Sequence, residues 1–346
     1  MMAGRLSQET GHGGTETRSV FLGTFETSVP PFLRGSSSTN TVTTRIIMNR
    51  TLVLSALLVV GALAIAAAQQ TKQVIDVQKV SDNYYVLTSS TPGNDATFSG
   101  GNVGVFITNG GVVLVDTKLA GWGQTFLDRV KSVTTKPVTM IINTHTHGDH
   151  TGNDDKFGTS VEIVAQENTK TNMAKMDAFK GDKAVFLPKR TFKDTLSIGS
   201  GNERIDLFYF GAGHTNGDAM VYFPALRVLQ TGDLFARKDA PRIDRANGGS
   251  GVAYPQTLSK AVATVKNVDV VVPGHSPLMK WGDLQEYQRY ITDLLNEVQT
   301  ARRAGKNADA AAASINLGGK YKGYTSEGMK LAVQAIYEEM DSTRTR

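Results

Sequence analysis

A mixed α/β domain is what this sequence predicts, and three observations predict it. Beyond residue 69, short β-branched and aromatic runs alternate with stretches whose apolar residues recur at helical spacing. The 35 glycines in 346 residues mark many tight turns between short elements rather than a few long helices. Hydrophobic residues at 40% against charged residues at 20% supply a sizeable core.

Taken in order, Val74 to Ser89 is rich in β-branched and aromatic residues and reads as strand. Asn102 to Thr108, the turn Asn109-Gly110-Gly111 and Val112 to Asp116 read as a hairpin. Gly123 to Val133 has helical spacing, with Phe126, Val130 and Val133 on one side. Val138 to Asn143 is a short apolar run, a buried strand that delivers the chain to His145. Ile205 to Phe210, Ala219 to Phe223, Arg227 to Gln230 and Val268 to Val272 read as further strands, with a helix at Thr257 to Val265. From Asp283 the chain turns helical through Arg302, then again at Ala308–Ala313 and around Ser326–Met340.

The N-terminal part differs. Arg50 is followed by an apolar or small-residue run from Leu52 to Ala68, ending in Ala66-x-Ala68 before Gln69. That is the form of a secretory signal peptide, expected at 48–68, with an uncleaved membrane anchor as the alternative. Residues 1–47 are rich in Ser, Thr and Gly and lack apolar periodicity, so they read as disordered or as a mis-assigned start, with Met48 as the true one. The expected organisation is completed by one folded domain at 69–300 and a C-terminal helical extension at 301–346. The leader places the work in the periplasm or outside the cell.

Charge argues against a nucleic-acid partner. The net +5 is scattered, and residues 1–68 hold five of the 37 basic and three of the 32 acidic residues. The most basic run, Lys170 to Lys193, is broken by Asp177 and Asp182 and reads as a solvated, mobile surface. With no cysteine there is no disulfide, thiolate ligand or cysteine nucleophile.

The chemistry concentrates in His145-Thr146-His147-Gly148-Asp149-His150. In extended chain alternate side chains share a face, so His145 and His147 can address one ion. Gly148 lets the backbone turn and aims Asp149 and His150 at a second. Imidazole and carboxylate donors suit a borderline cation such as zinc, and iron or manganese would also accept them. A lone histidine is more often structural, but three with an aspartate in six residues is a metal pattern. The remaining histidines after the leader, His214 in Gly-His-Thr and His275 in Pro-Gly-His, each follow a glycine at the end of a strand. Asp233, in Thr-Gly-Asp, has the same setting.

This ordered set resembles the metallo-β-lactamase superfamily. The resemblance implies an αββα sandwich, two sheets face to face with helices outside and metals at one edge. It further implies that His145, His147 and His214 hold a first metal ion. Asp149, His150 and His275 would hold a second, and Asp233 would bridge the two. Asp116, closing the strand Val112 to Val115, matches a family aspartate that orients a ligand, or it serves as a structural turn residue. Two cations about 3.5–4 Å apart activate a shared water and polarise a carbonyl or phosphoryl oxygen. Asp149 is the catalytic candidate, orienting that water or passing its proton to the leaving group.

His147 stands where oxygen-reducing relatives carry glutamate, which favours hydrolysis. Asp233 stands where some β-lactamases carry cysteine, which favours esters, lactones or related acyl bonds, with β-lactams second. A metal-binding module without turnover is the alternative from another class. Substrate-lining candidates are Phe235, Arg237 and the segment Phe179 to Leu187; the partner expected is a small molecule, with no nucleic acid and a membrane only through 48–68.

Overall fold

The computed structural model describes residues 74–89 and 97–342. The expected leader at 48–68, the segment 1–47 and the expected domain start at 69 lie outside them. Two sheets are built from short strands whose alternate residues face opposite sides. The first runs in chain order: Ile75–Ser81 (β1), Tyr84–Ser89 (β2), Val103–Ile107 (β3), Val112–Val115 (β4), Val138–Ile142 (β5), Glu162–Gln166 (β6) and Arg190–Phe192 (β7). Strands β1 to β4 pair antiparallel, whereas β4 to β7 pair parallel. The chain then crosses to the second sheet: Thr195–Ile198 (β8), Ile205–Tyr209 (β9), Ala219–Phe223 (β10), Val228–Gly232 (β11) and Val270–Pro273 (β12). These are antiparallel except for the parallel pair β11 and β12.

Strand periodicity explains the layers. Val113, Val115, Ile142 and Val164 turn inward to meet Leu207, Val221, Val228 and Val272, which forms the core between the sheets. Their neighbours Val112, Leu114, Ile141 and Ile163 turn outward, against Phe126 and Val130 of the helix Gly123–Val133 (α1). On the far face, Leu229 and Val271 pack under Leu258 and Ala261 of Tyr254–Thr264 (α4) and Leu284, Ile291 and Leu294 of Trp281–Arg303 (α5). Each large aliphatic side chain so buried contributes about 1.5–3 kcal/mol. The result is the four-layer αββα sandwich that the sequence motifs implied.

Residue 300 lies inside α5, and the chain after it joins the same core. Ala311 of Ala308–Ser314 (α6), and Met329, Ala332 and Ile336 of Met329–Ser342 (α7), pack with α4 and α5. Among the described residues no helix is long and apolar enough to cross a membrane.

Three differences from the sequence reading have physical causes. The helix α4 starts at Tyr254 rather than Thr257, because Pro255 is accepted in a first helical turn. Strands β6 to β8 were not expected: β6 carries Glu162 and Gln166 at its ends, so its buried middle is too short to show a period. The basic run Lys170–Lys193 is not simply a solvated surface. It contains most of the helix Glu167–Met173 (α3), two tight turns at Asp177–Phe179 and Gly181–Phe186, and the buried Met173 and Phe179.

Candidate metal centre

The seven sequence candidates meet at one edge of the sandwich, where strands of both sheets end. His145 and His147 follow β5, and the single turn Gly148–Thr151 (α2) presents Asp149 and His150. His214 follows β9, Asp233 follows β11 and His275 follows β12. Two glycines make the approach possible. Gly232 has φ +50°, and a Cβ there would sit 2.5 Å from Thr144 Oγ1; a Cβ on Gly274 would sit 1.9 Å from Asp233 Oδ1.

The donor atoms form two adjoining groups. In the first, His147 Nδ1 lies 3.2 Å from His145 Nε2 and 2.9 Å from His214 Nε2. In the second, His275 Nε2 lies 3.1 Å from His150 Nε2 and 3.3 Å from Asp149 Oδ2. Asp233 stands between them. Its Oδ1 is 3.3 Å from His150 Nε2 and 3.2 Å from His275 Nε2, and its Oδ2 is 3.7 Å from His214 Nε2.

The outer nitrogen of four rings is already committed, which fixes which nitrogen keeps its lone pair. His147 Nε2–H donates to Asp244 Oδ2 at 2.7 Å, and His214 Nδ1–H donates to the Arg242 carbonyl at 2.7 Å. His150 Nδ1–H donates to Asp116 Oδ2 at 2.7 Å. Thr144 Oγ1 donates to that same Asp116 oxygen at 2.8 Å, so it accepts from His145 Nδ1–H at 3.0 Å. In the neutral rings the inward nitrogens therefore face one another as lone pairs, an arrangement that a cation satisfies. Asp233 Oδ1 agrees: it is buried and makes no hydrogen bond among the described residues. An all-nitrogen-and-oxygen donor set of this kind fits divalent zinc.

Comparison with known proteins covers the segment that carries these residues. The metallo-beta-lactamase superfamily profile covers residues 96–275, from just before β3 to the last histidine. The chain belongs to the metallo-β-lactamase superfamily. A "Metallo-beta-lactamase type 2" from Elizabethkingia meningoseptica is 28% identical over 256 residues, which is 71% of this chain and 95% of that protein. The namesake from Bacteroides fragilis is 25% identical over 58% of this chain and 79% of its own. Among solved structures, the "Metallo-beta-lactamase from Pontibacter korlensis" superposes with a TM-score of 0.53 at 24% identity, across 63% of this chain and 99% of that one, and supports the fold. As a member of this superfamily, the chain is a metal-dependent hydrolase.

The rings of the cluster divide electrostatically. Burial, reinforced by the neighbouring imidazoles, holds His145 well below the usual histidine range, and burial pushes His214 down to about 4. Burial opposes charge on His150 as well, but the carboxylates of Asp233, Asp116 and Asp149 outweigh it and raise that ring. Asp233 is held far below the carboxylate range, with His275 and His150 overcoming its desolvation.

Two contributors were invisible in the sequence. Asp244 lies 97 residues from the histidine it holds, and its setting before Asn247 and Gly248 reads as an ordinary turn. The Arg242 carbonyl carries no side-chain signal at all. Asp116, by contrast, is where a ligand orienter is expected. It occupies a left-handed backbone conformation (φ +67°) and is fully buried.

A cavity of about 480 Å³ opens over the donors, with Phe98, Leu119, Arg237, Arg242 and Tyr287 among its walls. Arg237 therefore faces the site, as its position suggested. Phe235 does not. It is fully buried and stacks on Tyr287 with centroids 4.5 Å apart.

Proposed function

We propose that this chain is an exported binuclear zinc hydrolase that cleaves an ester, lactone or related acyl bond of a small molecule. The observation that carries the reading is Asp233, one carboxylate with an oxygen toward each group of donors. A pair of divalent ions supplies, when bound, an activated water near neutral pH and polarisation of the scissile carbonyl. His145, His147 and His214 would hold one ion, Asp149, His150 and His275 the other, with Asp233 shared; iron or manganese suits the same donors.

The chain's own residues do the rest. Asp149 borders the cavity with its side chain 23% exposed, so the carboxylate oxygen that is not turned to His275 can orient the attacking water and pass its proton to the leaving group. Phe98 and Tyr287 give the cavity aromatic walls. The chain has no cysteine, and no serine is among the cavity walls, so neither of those nucleophiles competes with water there. Export rests on the leader-like run Leu52–Ala68.

β-Lactam hydrolysis is the second reading, favoured by relatives whose names carry it and by the same need for carbonyl polarisation. The test is metal content and turnover on one zinc-loaded preparation, against a lactone, an aryl ester, a β-lactam and a phosphodiester. The proposal expects two zinc ions per chain and the fastest turnover on the lactone or ester. Faster β-lactam turnover replaces it with the second reading, and full metal occupancy without any turnover makes the chain a binding module.

A further inference from the structure

A second cavity, of about 460 Å³, lies alongside the donor cavity and shares Leu119 and Gly148 with it. It runs along α2 on one side and the two tight turns after α3 on the other. Its apolar walls are Leu119, Ala120, Met176, Ala178, Phe179 and Phe186. Its polar side chains are already engaged within the protein. Thr151 Oγ1 donates to the His147 carbonyl at 3.1 Å, Asp155 pairs with Lys183, and Asp177 pairs with Lys180 at 2.7 Å. What remains for a visitor is mostly carbon surface.

Gly148 lines both cavities. A Cβ on Gly148 would meet only Met176 Cε, at 3.9 Å, and the Gly148 backbone has no left-handed φ that would demand glycine. Packing would admit a side chain there; its absence leaves the step from one cavity to the other bare.

We infer that the substrate carries an extended apolar arm, which crosses Gly148 and lies in this second cavity while its carbonyl faces Asp149 and Asp233. The inference rests on the acyl-bond reading above and narrows it to acyl esters or lactones bearing a medium-length chain. The size suits such a ligand, since small-molecule pockets occupy roughly 300–1,000 Å³.

The experiment uses the zinc-loaded full chain and aryl esters from acetyl to decanoyl. Each methylene that enters the cavity is expected to raise kcat/KM by about threefold to fourfold, on the order of 100-fold from butyryl to octanoyl. Ala178→Trp, at an exposed position that lines this cavity and not the donor cavity, fills it. It is expected to abolish that gain while leaving acetyl-ester turnover and Tm unchanged. Ala120→Trp, from the opposite wall, is expected to do the same. A flat chain-length profile in the parent protein, or a profile that survives both substitutions, overturns the inference even if esters are hydrolysed. Calorimetric binding of octanoate and acetate to the same preparation separates the two ideas should no ester be cleaved. Octanoate binding at least tenfold tighter than acetate, lost in Ala178→Trp, keeps the apolar cavity and discards the acyl-bond reading; equal binding discards the cavity.

Discussion

Replacing Asp244 by alanine removes the acceptor of His147 Nε2–H. The ring is then free to rotate or to move its proton to Nδ1, the nitrogen that faces His145 and His214. Asp244 is held down at about 2: burial opposes its charge, but the hydrogen bonds from His147 and Asn247 outweigh that. It is therefore an ionised acceptor over any working pH. A hydrogen bond to a charged group contributes about 1.5–3 kcal/mol, and about 1.4 kcal/mol is a factor of ten in affinity. Metal at the His145–His147–His214 group should accordingly bind about 10- to 100-fold more weakly, the range typical for loss of an outer partner of a ligating histidine. The second group, tied through Asp116, should change little. Competition against a chromophoric chelator resolves the two affinities, and cobalt substitution reports which group is affected. Asp244 also accepts from Asn247 N–H at 3.2 Å, so general loosening of that turn must be separated from ligand orientation. Asp244→Asn does this, because its amide oxygen still accepts from His147 while the charge is gone; an intermediate loss is expected. Equal weakening of both groups, or unaltered affinity in Asp244→Ala, would refute the reasoning.

Two further outcomes follow from the same geometry. Asp233→Ala should lower occupancy of both groups, measured as metal per chain after dialysis, and a metal count like that of the parent protein would remove Asp233 from a bridging role. Lys118 is fully buried, its Nζ has no hydrogen-bond partner among the described residues, and burial pulls it down to about 7 against the opposing carboxylates of Asp116, Asp149 and Asp76. Between pH 7 and 10.5 the unfolded chain then binds a proton that the folded chain does not, so this lysine makes stability rise with pH across that window and costs on the order of 4 kcal/mol below it. Lys118→Met should raise Tm at pH 7 and flatten that slope, whereas a lower Tm at pH 7 would mean the amine has a favourable role.

Legibility in the sequence tracked how local the cause was. The hairpin around Asn109-Gly110-Gly111 and the helix Gly123–Val133 came out at their observed places, because turn chemistry and a 3.6-residue period are properties of the segment itself. The cluster His145–His150 was legible for the same reason: its spacing alone puts donors on shared faces. Strand β6 was not, since it is buried on both faces and bounded by Glu162 and Gln166, so no alternation marks it. Phe235, two residues from Asp233, could be assigned to core or cavity only once the partner face of Tyr287 was known.

The same distinction orders the site. The inward atoms come from one tight cluster and from three residues, His214, Asp233 and His275, whose settings repeat as a strand, a glycine, then the donor, but the outward atoms that fix their proton positions come from distant and unlike places. Asp116, at the end of β4, reaches His150 directly and His145 through Thr144. The turn Arg242–Gly249 reaches His214 with a carbonyl and His147 with a carboxylate, and the Asp244 amide also donates to the His214 carbonyl at 2.8 Å. One buried strand end and one surface turn thus set the tautomers of four rings. Because that turn also lines the cavity with Arg242, a change that re-shapes it for a new substrate alters ligand orientation at the same time. Substrate range and metal affinity at the His147 group are therefore coupled through this turn, whereas the cavity beyond Gly148 shares α2 with Asp149 and His150, and only its opposite wall, residues 177–186, lies outside the elements that carry the donors.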